Sequence, residues 1–392
     1  MLDNLTPAEP IQPKKDWRPG IEFDGDTGTA TTPGYSEEPQ DFDEFLLDAG
    51  LDPNGIEVVP PVRTSRWQQQ KDGELVWLTS YRFTFKRKNP DFDLPLAFSQ
   101  AKEKAKKTKK PQTKPGTALV VLWSDLQVGK VDHKGDLEAM VQRVSTIQAK
   151  LQDTVKAGAY ERVIFVDLGD TVENFDNKAK EHQTFTNSLS LMEQVDLATT
   201  MAWETLALIA QQVPQVTYAS VGSNHCQWRI NGRAVGKATD DWGVFIGRQL
   251  ARLAQQTDTK NMTFVEPQPW DESLAIDVFD DDFHILGIVH GHQVRRAEGI
   301  RDWWAKQMLG SQPVAAANIL VHGHFHHLRL QEAGGVSRGD RVASRYIIGA
   351  STLDNGSNWF RNSQGEEATP GLVCFDLHQG QDYQGTVHKI TE

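Results

Sequence analysis

The sequence predicts an α/β domain over residues 117–392, preceded by a small α+β domain over residues 41–100. Two patterns predict this. From Thr117 onward, short apolar runs of strand length alternate with longer runs of helical spacing. Before it, two runs rich in aromatic and β-branched residues flank Lys71-Asp72-Gly73, and Asp-Gly between such runs signals a hairpin. A length of 392 residues exceeds what one core usually serves, which agrees with a large domain plus a smaller one.

Taking the chain in order, residues 1–40 hold few large apolar side chains and many Asp, Glu, Pro, Thr and Gly. Such a stretch is expected to stay a disordered acidic arm, because it buries too little surface to offset the entropy of ordering. Asp41 to Gly50 reads as a short helix stopped by its glycine. Ile56–Pro60, Thr64–Gln70 and Leu75–Lys86 read as strands. They bring Trp67, Trp77, Tyr81, Phe83 and Phe85 near Arg63, Arg66, Arg82, Lys86, Arg87 and Lys88. Either the aromatics stack nucleic-acid bases, or Tyr81, Phe83 and Phe85 form one buried face with the basic residues outside it. Residues 101–116 hold seven lysines and one glutamate, and read as a linker whose helix from Pro95 ends at Pro111 and whose Pro115-Gly116 makes a flexible join. Its lysines either hold a polyanion by counterion release or only keep the linker solvated.

In the larger domain, Ala118–Trp123, Val163–Leu168, Val216–Val221, Ile285–Val289 and Ile319–His322 read as strands. Leu137–Ala157 and Leu189–Val213 read as helices between them.

Charge and composition narrow the class. The net charge of −12 is segmented: residues 1–50 carry twelve acidic and three basic side chains, whereas residues 62–116 carry fourteen basic and five acidic. The basic segment leaves nucleic acid open as a partner despite the acidic total. Cys226 and Cys374 are the only cysteines, too few for a disulfide framework. No apolar run approaches the roughly 18 residues of a membrane span, and the N-terminus lacks a basic-then-apolar leader, so a cytoplasmic protein without a membrane partner is expected.

Five polar patches follow the strand-like runs: Asp125-Leu-Gln127, Gly169-Asp170-Thr-Val-Glu173-Asn174, Asn224-His225, His290-Gly291-His292 and Gly323-His324-Phe-His326. Carboxylate, amide and imidazole donors without thiolate suit Mn²⁺, Mg²⁺, Fe²⁺ or Zn²⁺. Placed at strand ends, they can converge on one rim of a sheet. A phosphodiester repels an attacking hydroxide, and two cations roughly 3.5–4 Å apart both neutralise that charge and acidify water.

The ordered set resembles the motifs of the calcineurin-like metallophosphoesterase superfamily: D-x-H, G-D-x-x-[D/E], G-N-H-[D/E], H and G-H-x-H. The resemblance covers roughly Thr117 to Phe375. Within it the chain looks most like enzymes encoded by bacterial viruses, distant relatives of SbcD-type DNA repair nucleases. The resemblance implies two mixed sheets packed as a sandwich with flanking helices, and two divalent ions, Mn²⁺ foremost. It implies that Asp170 bridges the ions, that Asp125, Gln127 and His326 hold one, and that Asn224, His290 and His324 hold the other. His225 would act on the phosphoryl group or the leaving oxygen, with Glu173 orienting it.

Three positions depart from the pattern. Gln127 replaces a histidine and is a weaker ligand, Ser223 interrupts the Gly-Asn pair, and Cys226 stands where an acid is common and reads as a small packed residue. His290, directly after its strand, is preferred to His292 as the ligand. His133, His322 and His327 are expected to lie behind the ligands or at the surface. Around the site, Trp228, Arg229, Arg233, Arg295, Asn355 and Trp359 are candidate substrate contacts, with Trp303 and Trp304 beyond Arg295. The expected function is a dimetal phosphodiesterase acting on DNA, exonuclease-like. The alternatives are a nucleotide or small-phosphoester hydrolase and a non-catalytic DNA-binding module. No ATP-binding loop is recognisable, so any ATPase would be a separate subunit.

Overall fold

The computed structural model describes residues 19–23, 27–71, 74–87, 113–175, 187–358, 361–362, 365 and 367–392. The chain divides into two compact units, Met1–Asp93 and Leu94–Glu392.

The first unit is one antiparallel sheet and a short helix. Its strands are β1 (Gly20–Phe23), β2 (Thr27–Thr31), β3 (Ile56–Lys71) and β4 (Glu74–Arg87), in the order β1-β2-β4-β3, with helix α1 at Asp43–Asp48. Alternation along β4 turns Tyr81, Phe83 and Phe85 into a core with Ala30, Leu46 and Ile56, and Phe42 stacks on Phe83 at 4.4 Å. Arg82, Thr84 and Lys86 face outward. The two runs Ile56–Pro60 and Thr64–Gln70 are one edge strand whose register shifts between Val59 and Arg63, where Pro60 and Pro61 have no N–H for the ladder.

The disordered-arm expectation is corrected for residues 19–23 and 27–40. β1 and β2 extend the sheet, and Ala30 and Thr32 are fully buried. Small residues suffice because β4 supplies both backbone partners and the Phe85 ring, against which a Cβ at Gly28 would come within 2.4 Å. Residues 1–18, 88–112 and 176–186 lie outside the described residues, and with them most of the lysine-rich segment and the Pro95–Pro111 helix.

The second unit holds β5 (Lys114–Trp123), α2 (Leu137–Gly158), β6 (Tyr160–Asp167), α3 (Leu191–Ala210), β7 (Gln215–Ser220), the short ribbon β8 (Arg229–Ile230) and β9 (Arg233–Ala234), α4 (Trp242–Gln256), β10 (Met262–Val265), β11 (Ser273–Asp277), β12 (Ile285–Val289), α5 (Ile300–Leu309), β13 (Ile319–His322), β14 (Arg329–Arg338), β15 (Arg341–Gly349), β16 (Leu372–His378) and β17 (His388–Ile390). Two mixed sheets form, in the orders β10-β7-β6-β5-β16-β17 and β11-β12-β13-β15-β14. They pack face to face: Val120, Leu122, Ile164 and Val166 meet Leu286, Ile288, Ile319, Val321 and Ile348. The other face of the six-stranded sheet, with Leu119, Val121, Val163 and Phe165, is covered by α2, α3 and α4. Ile300 and Trp304 of α5 cover Val289, Leu320 and Ile347 on the five-stranded sheet. Central strands buried on both faces explain the unbroken apolar runs in the sequence.

Helix ends follow local chemistry. Asp136 caps α2, Ser190 and Glu193 form a capping box on α3, and Asp241 caps α4. Lys114-Pro115-Gly116 is no flexible join: it opens β5, where Gly116 takes φ 68° and donates its N–H to Glu161 at 2.6 Å. Among the described residues no helix is long and apolar enough to cross a membrane.

Candidate functional site

β5, β6 and β7 run parallel in one sheet, and β12, β13 and β15 run parallel in the other. The loops leaving their carboxyl ends meet, as ligand loops of open α/β sheets do. The loops after β5 and β6 are zipped together by Asp125 N–H to Gly169 O at 3.0 Å and Gln127 N–H to Asp170 O at 2.8 Å, and Gly323 N–H reaches His290 O at 2.8 Å. Asp125, Gln127, Asp170, His324 and His326 all take left-handed backbone, with φ between 47° and 70°. Each such residue costs about 1–2 kcal/mol, and strain of this kind gathers at functional sites. Gly169 passes so close to the next loop that a Cβ there would meet the Ser223 Cβ at 2.4 Å.

Four donors converge at the centre. His290 Nε2 lies 3.2 Å from Asp170 Oδ2 and 3.1 Å from Asn224 Oδ1. The donor atoms of Asp170, His290 and His324 all lie within 4.8 Å of one another. His290 Nδ1 donates to the Leu168 carbonyl at 2.7 Å, so in the neutral imidazole that binds a metal the Nε2 lone pair faces the two oxygens. Three electron-rich atoms pointed at one another, in a place where His290 is fully buried, fit a bound cation.

With protein charges alone, burial opposes protonation of His290, but Asp170 outweighs it and lifts the imidazole to about 9. Burial and the nearby His290 push His324 down to about 3. Burial raises the Asp170 carboxyl, yet His290 and His225 hold it well below the usual carboxylate range.

The other half of the site differs. Asp125 Oδ1 lies 3.3 Å from His326 Nε2, and Asp354 Oδ2 lies 3.5 Å from His326 Nδ1. Lys130 Nζ donates to Gln127 Oε1 and to Asp354 Oδ2, each at 2.6 Å. Asp125 and His326 are suited to an ion, but the Gln127 oxygen is turned to an ammonium.

His225 stands beside the four donors. Its N–H donates to Asp170 Oδ1 at 2.8 Å, its Nδ1 lies 3.2 Å from Glu173 Oε2, and its Nε2 lies 3.5 Å from Gln127 Nε2 and 3.9 Å from Asp170 Oδ2. Burial disfavours its charge, but Asp170 and Glu173 prevail and lift it to about 9. Behind the loop, Ser223 Oγ accepts the Asp170 N–H at 2.8 Å, and Asp241 accepts the N–H groups of Ser223, Gly243 and Val244. The serine that breaks the sequence motif thus positions Asp170.

No protein-family model and no curated protein matches the chain.

The expected ligands Asp125, Gln127, Asp170, Asn224, His290, His324 and His326 all reach this rim, and His290 sits among the donors while His292 lies 3.8 Å from Glu272. The surrounding residues divide. Asn355 is corrected: it is 1% exposed, its amide donates to Lys130 O and Asp136 O, and its oxygen accepts from Arg143, so no face is left for substrate. Arg229 braces its own loop through Asn224 O, Gln227 Oε1 and Gly232 O. Trp304 is core, its Nε1 donating to Val314 O. Trp228 is 54% exposed and stacks on Trp242 at 6.0 Å over an open cleft of about 500 Å³ shared with Phe245 and Arg248. Arg233 and Arg295 are exposed. Trp359 lies outside the described residues. Cys226 is a small buried residue, as expected.

Sequence reasoning missed Lys130, Asp354, Asp241 and Trp242. Lys130 lies three residues beyond Gln127 in the same loop, but Asp354 is 224 positions away, in the loop that follows β15.

Proposed function

We propose that the chain is a divalent-metal-dependent phosphodiesterase of the calcineurin-like metallophosphoesterase type, and that it cleaves DNA. The observation that carries this reading is the convergence of Asp170, Asn224, His290 and His324 at the carboxyl ends of strands from two sheets, with His225 alongside. The two face-to-face mixed sheets with outer helices are the layering that the motif resemblance leads one to expect.

A divalent ion held by those four residues would neutralise phosphoryl charge and acidify an attacking water. The residues divide the remaining work. His225 has Nδ1 held by the Glu173 backbone carbonyl at 3.2 Å, with Glu173 Oε2 at the same distance, which fixes the ring's direction and presents Nε2. The leaving alkoxide takes its proton from that nitrogen. Asp241 and Ser223 hold the Asn224-His225 loop in register with Asp170.

DNA is preferred because the first unit exposes Arg63 and Arg82 directly opposite one another across β3 and β4, and stacks Arg66 on the exposed Trp77 at 4.8 Å. Like charges placed opposite each other destabilise a sheet, which an anionic partner relieves. The aromatic cleft at Trp228 and Trp242 favours a second reading, hydrolysis of a free nucleotide.

The test is hydrolysis of bis-p-nitrophenyl phosphate, nucleotides and end-labelled single- and double-stranded DNA with Mn²⁺, Mg²⁺ or chelator. DNA cleavage abolished by chelator and by Asp170→Asn is expected. Cleavage of nucleotides alone would select the second reading, and DNA binding without turnover in any metal would make the chain a binding module.

A further inference from the structure

We propose that the centre takes a single divalent ion per chain, and that the Lys130 ammonium is the permanent positive charge of the half where a second ion would otherwise sit. This rests on the metal-dependent reading above and settles its stoichiometry.

The two halves are unequal in donors. One offers Asp170 Oδ2, Asn224 Oδ1 and the imidazoles of His290 and His324. Among the described residues, Asp170, His290 and His324 are the only three acidic, histidine or cysteine side chains gathered closely enough to share an ion. The other half offers Asp125 and His326, and the position that would complete it is Gln127. Its amide oxygen already accepts from Lys130 at 2.6 Å, and its amide nitrogen is directed at His225 Nε2, 3.5 Å away. The second oxygen of Asp170, Oδ1, accepts the His225 N–H at 2.8 Å and is likewise engaged.

Lys130 is built in. It is 8% exposed, and its counter-ion Asp354 is fully buried and held by the Gly356 N–H at 3.0 Å. Asp354 also faces His326 Nδ1 at 3.5 Å, so the ammonium, the carboxylate and the imidazole form one fixed group around the Gln127 side chain. An ion bound by Gln127 Oε1 would have to displace the ammonium from that oxygen and then remain beside it. Two like charges in so dry a place repel strongly. An ammonium hydrogen-bonded through a neutral amide supplies cationic field to a phosphoryl group without needing a third protein ligand.

The experiment is metal stoichiometry on the full chain, stripped with chelator and equilibrated with Mn²⁺, read by elemental analysis and by electron paramagnetic resonance. One ion per chain with an uncoupled Mn²⁺ spectrum is expected. Two ions with an exchange-coupled spectrum would overturn the proposal and leave the metal-dependent reading standing, whereas no bound ion would overturn both. The double variant Gln127→His, Lys130→Ala, checked for folding by circular dichroism, is expected to bind a second ion. A folded double variant that still binds one would show that Lys130 does not set the limit and would overturn its assigned role. Should the variant not fold, the wild-type stoichiometry still decides the proposal.

Discussion

Glu173 Oε2 lies 3.2 Å from His225 Nδ1, within a loop whose left-handed turns also carry Asp170, so that one short segment supplies both a central carboxylate and the partner of the neighbouring imidazole. The pairing has a pH signature. Against the opposing effect of burial, Asp170 and Glu173 lift His225 from 6.5 to about 9. A folded value above the unfolded one means stability that is full below pH 6.5 and is lost as pH rises through about 9. In chelator, unfolding midpoints should fall across that window, and Glu173→Gln should flatten the fall and move the His225 NMR titration downward. An unchanged His225 titration in the variant would remove Glu173 from this role.

Asp170 contacts His290, His225 and the backbone N–H of His225, so Asp170→Asn removes the central charge while keeping the shape. Metal affinity should drop by more than the roughly 10–100-fold typical of residues that only support a ligand. Calorimetric titration with Mn²⁺ measures it, and affinity within tenfold of wild type would count against the assigned donor set.

Asp241 is pushed up to about 7 by burial although three backbone N–H groups donate to it. Asp241→Asn must turn an NH₂ toward at least one of those donors, which should cost about 1–3 kcal/mol in urea unfolding. Because the lost bonds hold the Asn224 loop, Mn²⁺ affinity should weaken about 10–100-fold in the same variant.

Asn355 ties Lys130, Asp136 and Arg143 together from a fully enclosed position. Asn355→Ala should lower stability by about 1–3 kcal/mol, through the partners left unsatisfied, and leave the KM for bis-p-nitrophenyl phosphate within about twofold. A raised KM with unchanged stability would restore it as a substrate contact.

Arg82 faces Arg63 across the first unit's sheet. Arg82→Glu should convert a repulsive cross-strand pair into an attractive one, stabilising by about 0.2–1 kcal/mol in thermal unfolding. The same change should weaken DNA binding and make its salt dependence shallower by about one charge. DNA affinity that is unchanged at low salt would remove this face from the interface.

Much of the second unit is legible in the chain. The strands β5, β6, β7, β12 and β13 announce themselves because sheets covered on both faces need unbroken apolar runs, and each run ends at a polar patch that must leave the sheet. Order and setting of those patches place them on one rim, and the motif resemblance singles out Asp125, Asp170, Asn224, His290, His324 and His326 within them. Helix starts at Asp136 and Ser190 are equally local, since a cap bonds two or three residues ahead.

What only the tertiary structure decides is set by partners distant in sequence. Residues 19–23 and 27–40 look too poor in apolar side chains to order, yet they gain a place because β4 offers an open edge and an aromatic face. Asn355 and Arg229 look like substrate contacts because polar residues near a site resemble one another in sequence, and only packing shows which are spent on backbone carbonyls. Lys130 and Asp354 carry no local mark at all. Sequence by itself determined the donor types and their order along the strands, because burial and turn chemistry are written residue by residue. The tertiary structure decided which charge stands beside Gln127, because a buried ion pair exists only where two strand ends, far apart in the chain, close on each other.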